Sequence, residues 1–507
     1  MDRSNHRAAG RSKAGADFLQ LRPENAPPGG LAEWLATELR TAIADGRLAL
    51  GSRLPATRQL AAELQVSRGV VTEAYQRLTE DGHITARGRA GTTVAAAPID
   101  RPAVFQEPPG TPVGLAGLSV DGTQRARVGQ LTLADPDQDI FDTMRAAPAR
   151  IDLTPGVPDL AAFPRAAWLK AERAVLTDLS ASAFGYGDPA GTPALRLAVA
   201  NWLARNRGIK ADPTDLIIVA GVSQALALIC QVLGSDGITE LAVEDPGSLG
   251  SRQHLQIWGM RTPPVPVDDS GLRVDVLRDT GAPAVLVTPA HQFPTGVVLD
   301  GERRRELMQW AIEGGLIIED DYDAEHRYDR PPVPAIRGML TEQVIYTGSI
   351  SKLLAPALRI GWMLPPPRNR RALIAAKRHA DLGNAGLPQL TLAHLMESGE
   401  LERQLRFVRR RHRARRDAMI DAISNHLPTA TVHGAAAGLH LTITFPDTLD
   451  DIALASAALA RGVKTQPLSW HHQHPRSPGL VLGYAARTPT ELTEAITLIA
   501  KAHKDVS

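Results

Sequence analysis

The sequence predicts an α/β fold, a mostly parallel sheet with helices on both faces, preceded by a small helical unit that ends in a hairpin. From Ile151 onward, short apolar runs (LIIVAG, AVLVTP, GLIIED, QVIYTG) alternate with longer helical stretches (SQALALICQVLG, RRRELMQWAIEG). Strands buried on both faces read as continuous apolar runs, and their alternation with helices is the pattern of parallel crossovers. Before residue 97 the periodicity is helical instead, with Leu31, Leu35, Leu39 and Ile43 on one stripe.

The 507 residues are too many for one compact core, and 43% of them are apolar, enough to fill more than one. Residues 1–16 read as a disordered tail without the apolar segment of a secretory signal. A unit over 17–96 follows. Residues 97–150, rich in Pro, Gly and Ala, read as a linker. The α/β unit takes 151–507, and no internal repeat interrupts it. Cys230 is the only cysteine and lies in an apolar run, which excludes an intramolecular disulfide framework and fits a reducing cytoplasm. No apolar run reaches membrane-spanning length. The net charge of +1 means that any nucleic-acid contact must come from a local patch.

In the first unit, LAEWLATELRTAIADGRL is an amphipathic helix that stops near Gly46. RLPATRQLAAELQVSRGVVTEAYQRLTEDG holds two short helices, with Thr57 and Ser67 as their expected caps and a tight turn between them. ITARGRAGTTVA is a hairpin with Gly88 and Gly91 at its tip. Residues 1–97 carry 13 Lys/Arg and 10 Asp/Glu, a net of +3, which decides nothing by itself. Placement is more telling. Arg58, Arg68, Arg87 and Arg89 fall at helix starts and the hairpin tip, where phosphates and base edges are reached in a winged helix-turn-helix. The pattern GxRLPATRxLAxxLxVSRxxVxxAYxxLxxxGxI resembles the GntR family of bacterial transcription factors. By that resemblance Arg58, Ser67, Arg68 and Thr72 face operator DNA, with Arg87 and Gly88 in the wing.

In the second unit, YTGSISKLLAPALRIGW sets Lys352 in an otherwise apolar and hydroxylic run, with Arg359 seven residues on. Burial disfavours the charged amine, and a neutral amine attacks aldehydes. Pyridoxal 5'-phosphate (PLP) is the commonest aldehyde cofactor for such a lysine. It needs a carboxylate at its pyridine nitrogen, a donor at its phenolic oxygen and a cationic clamp for its phosphate. GLIIEDDYD ends a strand in acids, where ligands of such sheets bind. Asp320 is the candidate for the pyridine nitrogen, with Glu319 and Asp321 as competitors, and Tyr322 for the phenolic oxygen. In LIIVAGVSQAL, the Val222 and Ser223 N–H groups open a helix and suit a phosphate. Arg359 adds a guanidinium and Ser349 a hydroxyl. Each signal is weak alone; the ordered set is strong.

That set resembles the fold-type-I, class I aminotransferase domain, from about residue 151 to the C-terminus, as do GYGDPAGTPALRLAVANWL, VEDPGS, VTPAHQFPTG and LGYA. The resemblance implies a Schiff base between Lys352 and PLP. Joined to a GntR-type winged helix, the whole resembles the MocR subfamily. HQFPTG in place of the enzymes' HNPTG, and a Lys352-to-Arg359 spacing one residue shorter than theirs, favour a regulator over a free-standing transaminase. Two positions depart from the aminotransferase pattern. Ser248 stands where EDPGY supplies an aromatic that stacks on the cofactor. Val481 stands where an arginine would take a substrate carboxylate; Arg476, in HHQHPRSP, is a candidate substitute, with an exposed loop position as the plainer expectation.

Residues 403–416 hold eight arginines; Arg403, Arg406, Arg410 and Arg413 share one helix face. A solvated face is the plain expectation, a second DNA-contacting surface the alternative. The reading is therefore a cytoplasmic, homodimeric, PLP-binding transcription regulator that responds to PLP itself or to a small amine or amino acid. The loss of arginine at 481 favours PLP. The competing readings are a working aminotransferase with an appended DNA-binding domain, and a DNA-binding protein whose aminotransferase-like domain is only a dimerisation scaffold.

Overall fold

The structure, a computed structural model, describes residues 21, 23–27, 30–44, 47–48, 51–80, 83–86, 91–95, 140–323, 325–328, 333–446, 449–474 and 477–506. The chain divides into two units, Met1–Pro109 and Gly110–Ser507.

In the first unit, helices Leu31–Ala44, Thr57–Glu63 and Arg68–Glu80 pack around Leu35, Leu39, Leu60, Val71 and Leu78. Strands β1 (Ile84–Ala86) and β2 (Thr92–Val94) pair antiparallel, with Ile84 opposite Val94. The turn before Arg68 places Gln65 at φ 54°, and Tyr75 of the third helix donates to the Pro55 carbonyl ahead of the second at 2.8 Å. Ser67 caps its helix as expected, accepting from Val70 N–H at 3.4 Å. Thr57 does not cap. It is the first helical residue, and Ala56 takes the cap position without a side-chain bond. The wing tip, with Arg87, Gly88 and Arg89, lies outside the described residues.

The second unit contains β3 (Ile151–Asp152), β4 (Ile217–Val219), β5 (Ala242–Asp245), β6 (Pro264–Asp268), β7 (Gly271–Leu272), β8 (Ala284–Val287), β9 (Leu316–Asp321), β10 (Val344–Ser349), β11 (Gly361–Leu364), β12 (Thr431–His433), β13 (His440–Thr444), β14 (Val463–Lys464), β15 (Gln466–Pro467) and β16 (Gly479–Gly483). Eight of them form one sheet in the order β4-β11-β10-β9-β8-β5-β6-β7. β6, β5, β8, β9 and β10 are mutually parallel, and β11 runs against both β10 and β4. Its central strands are buried on both faces, as parallel strands under helices must be. The expected helices are present at Val222–Ser235 and Gly301–Ile312, the latter capped by Asp300, which accepts from Glu302 and Arg303 N–H. A smaller antiparallel sheet, β12-β13-β16-β15, packs on helices Glu400–His426, Asp451–Ala460 and Pro489–Val506 through Leu441, Ile443, Leu480 and Ile496.

The expected linker over 97–150 does not run that far. Ile140–Ala146 is helical, and Ile140 and Met144 pack on Leu249 and Trp470. Apolar residues at 140 and 144, one turn apart, anchor it.

The arginine run is largely structural. Asp159 Oδ2 accepts from Arg411 Nε at 2.6 Å and stands 2.9 Å from Arg415 Nη1, with Asp159 and Arg415 buried. Arg409 donates to the Glu325 carbonyl and Arg416 to that of Ala435. Arg403, Arg406, Arg410 and Arg413 are exposed on one face as anticipated, but Arg413 also donates to the Tyr328 carbonyl.

Candidate functional site

In the first unit Arg58, Ser67 and Arg68 are exposed at the starts of the second and third helices. Arg68 stands at the N-terminal end of the helix that a helix-turn-helix inserts into the major groove. Thr72 is committed within the helix, its hydroxyl donating to the Arg68 carbonyl at 2.9 Å.

In the second unit a cavity of about 520 Å³ opens at the carboxyl ends of β4, β5, β8, β9 and β10. It gathers every residue singled out above for a cofactor: Val222, Ser223, Asp320, Tyr322, Ser349, Lys352 and Arg359.

One end is formed by a strand-to-helix turn and Arg359. β4 runs out at Val219, and Gly221 turns the chain with φ 87° into the helix Val222–Ser235. The first N–H groups of a helix lack intrahelical acceptors and attract anions. Arg359 sits in the left-handed region, φ 49° and ψ 46°, and donates to the Ala220 carbonyl. A Cβ on Gly221 would stand 3.2 Å from Arg359 Nη1, so this close approach needs glycine. Gln224 fixes the turn from behind. Its Oε1 accepts from Ala220 N–H at 2.8 Å, while its amide donates to Asp381, itself paired with the buried Lys377. Ser349 Oγ accepts from Ser351 N–H at 3.3 Å, which leaves its O–H free to donate.

At the other end, strand alternation sorts the three acids of β9. Glu319 accepts from Ile336 and Arg337 N–H, both at 2.9 Å. Asp321 is buried against Arg207 Nε at 2.5 Å and Tyr346 OH at 2.6 Å. Asp320 alone of the three lines the cavity, with Thr347 Oγ1 3.3 Å from Oδ1. Burial and the neighbouring Asp321 push its pKa up to about 7. Lys352 Nζ donates to the Gly156 carbonyl at 2.5 Å. Burial lowers its pKa, against the pull of Asp323 and Asp320.

Tyr322 OH is 3.0 Å from His291 Nδ1, which is also 3.0 Å from Asp323 Oδ2. With its Nδ1 proton directed at Asp323, that nitrogen has no lone pair to accept from Tyr322, so the phenol's proton is available to Asp323 or to the cavity. Ser248 is the cap of helix Leu249–Ile257, accepting from Ser251 N–H at 3.2 Å. Ser248 lines the cavity together with Phe293 of HQFPTG, which supplies an aromatic ring, with the His440 and His471 rings 5.0 and 5.1 Å from it. Val481 is fully buried between Thr442 and Gln466 in the smaller sheet, and among the described residues it does not line the cavity. Arg476 lies outside the described residues.

Residues from distant segments complete the walls: Glu244, Arg252, Asp323, His440, Gln466 and His471. Glu244 and Asp323 belong to the stretches VEDPGS and GLIIEDDYD, and Arg252 lies one helical turn beyond the former. Among the described residues no helix is long and apolar enough to cross a membrane, and no cluster suits a metal ion.

The donors present fit PLP: an aldehyde-reactive lysine, a carboxyl, a phenol and an anion cradle that a Cβ at 221 would disturb. A winged helix-turn-helix carried on an aminotransferase-type unit defines a class of protein, a transcription regulator built on an enzyme fold. Residues 31–94 match the family of bacterial regulatory proteins of the gntR type, and residues 149–499 match aminotransferase class I and II. The chain is 32% identical to a probable rhizopine catabolism regulatory protein, MocR, of Rhizobium meliloti, over 92% of both chains. It is 29% identical to the pyridoxine biosynthesis transcriptional regulator PdxR of Corynebacterium glutamicum, over 96% of this chain and 98% of that one. A kynurenine aminotransferase of Pyrococcus horikoshii, solved with PMP, superposes with a TM-score of 0.66 at 26% identity, covering 73% of this chain and 94% of its own. The chain belongs to the MocR subfamily of GntR-type transcriptional regulators.

Proposed function

We propose that the protein binds PLP at Lys352 and uses the loaded cavity to sense PLP or a small amine or amino acid, changing its hold on operator DNA. The observation that carries this is the convergence of Lys352, Asp320, Tyr322, Ser349, Arg359 and the helix start at Val222–Ser223 on one cavity. When bound, PLP supplies an aldehyde that reacts with primary amines. The chain does the rest. Arg359, Ser349 and the Val222 and Ser223 N–H groups hold the phosphate. Asp320, titrating near neutrality, holds or shares a proton at the pyridine nitrogen. Tyr322 donates to the phenolic oxygen. Burial lowers the Lys352 pKa, which favours the neutral, nucleophilic amine.

Residues 17–96 serve as the DNA-reading domain, through Arg58, Ser67, Arg68, Arg87 and Gly88; Thr72 contributes its methyl rather than its committed hydroxyl. Residues 97–139 join it to the sensor. Leu169, Phe184 and Tyr186 are 63%, 59% and 96% exposed, large apolar side chains that a homodimer would cover. A single buried cysteine fits the cytoplasm.

The test is operator affinity, on a site selected from a random DNA pool, for cofactor-free and PLP-loaded protein, the latter with and without amino acids. A change on loading, or on adding an amino acid to the loaded form, supports sensing. Identical affinity in all three states contradicts it.

A further inference from the structure

Among the described residues, three Lys or Arg side chains line the cavity: Lys352, Arg359 and Arg252. PLP accounts for the first two. Arg252 is left over. Its Nη2 donates to the Trp470 carbonyl at 3.1 Å, and among the described residues no carboxylate pairs with it. Asp245 acts on it only at longer range. That carboxylate is already committed, accepting from Gln473 N–H at 2.8 Å and facing His474 Nδ1 at 3.0 Å. A half-buried guanidinium with unused donors is an anion site in waiting.

Gln466, on β15, stands in the same cavity wall. His471 fixes which way its amide points. Leu249 N–H donates to His471 Nδ1 at 3.4 Å, so His471 carries its proton on Nε2, 3.3 Å from Gln466 Oε1. The Gln466 oxygen is therefore occupied. Its NH₂ group has no partner among the described residues and is left to donate.

We propose that Arg252 and Gln466 form a carboxylate subsite, so that the effector is an amino acid rather than a plain amine. This rests on the PLP reading above. It also supplies what Val481 does not: the positive partner comes from helix Leu249–Ile257 rather than from β16. Phe293, His440 and His471 wall the same cavity with aromatic surface, where the effector's carbon chain would lie.

The experiment titrates PLP-loaded full-length protein with matched pairs and follows the visible band of the lysine-bound cofactor. Glycine is set against methylamine, β-alanine against ethylamine, 4-aminobutanoate against propylamine, and each protein L-amino acid against its decarboxylated amine. At least one acid should bind tenfold or more tightly than its amine. Arg252→Gln should erase that preference while amine affinity and the starting band stay as in wild type. A panel in which no acid outbinds its amine overturns the subsite, as does a preference that survives Arg252→Gln. Gln466→Leu, which keeps Arg252, should weaken the preference partially and guards against misfolding of the first variant. Lack of the starting band in wild type would instead overturn the PLP reading, and the subsite with it.

Discussion

Lys352 Nζ donates to the Gly156 carbonyl at 2.5 Å, and a Cβ built on Gly156 would stand 2.9 Å from that nitrogen. Gly156 also has φ 79°, where side chains other than glycine are strained. The glycine thus sets the floor against which the amine rests. Gly156→Ala should weaken PLP binding by about tenfold, or ~1.4 kcal/mol, and lower stability by about 1–2 kcal/mol. Absorbance titration with PLP and a thermal melt check both; unchanged PLP affinity would contradict the contact.

Arg68→Ala should cost about 1–3 kcal/mol of operator affinity and relax preference at one base position, because Arg68 is exposed at the start of the recognition helix. A gel-shift titration at fixed salt against a set of single-base operator variants measures both. Uniform weakening across all variants would make Arg68 a phosphate contact instead.

Asp159→Ala should destabilise the second unit by about 3–5 kcal/mol, since it strands the Arg411 and Arg415 charges. Arg406→Ala and Arg410→Ala, exposed on the same helix, should change stability by less than about 0.5 kcal/mol. Denaturant unfolding of the three variants separates the structural arginines from the solvated ones.

How much of this was legible in sequence depends on how local each signal is. Lys352, Arg359 and the Gly221 turn are set by chain-local geometry, and the order of motifs exposed them. Asp320 could not be chosen over its neighbours from sequence, because the decision lies with Arg207, 114 residues away, which claims Asp321. Arg252 and Gln466 come from segments more than two hundred residues apart, and only the fold makes them neighbours of one cavity. The arginine run misleads for the same reason: Asp159 and the carbonyls that bind it are distant in sequence. Thr57 had the chemistry of a cap, but the helix begins one residue earlier than a Thr57 cap allows.

Asp320 also predicts a pH dependence. Its folded pKa of about 7 lies above the ordinary value of 3.8, so the folded state binds the proton more tightly than the unfolded chain. The penalty for ionising it is absent below the ordinary value, grows as pH rises, and is complete above the folded pKa. At about 1.4 kcal/mol per unit, the shift sets an upper limit of ~4 kcal/mol, reduced by water in the cavity. Cofactor-free protein should therefore lose stability from about pH 4 to about pH 7, and Asp320→Asn should lose less over that window. Parallel melting curves for the two proteins would contradict the assignment.

The central claim is a PLP-derived bond at Lys352. Borohydride reduction of the PLP-loaded protein, followed by peptide mapping of the whole chain, tests it most directly. The added mass should fall on the peptide containing Lys352, and Lys352→Ala should remain folded and carry none. A reduced adduct on another lysine, or one that persists in Lys352→Ala, would contradict the account.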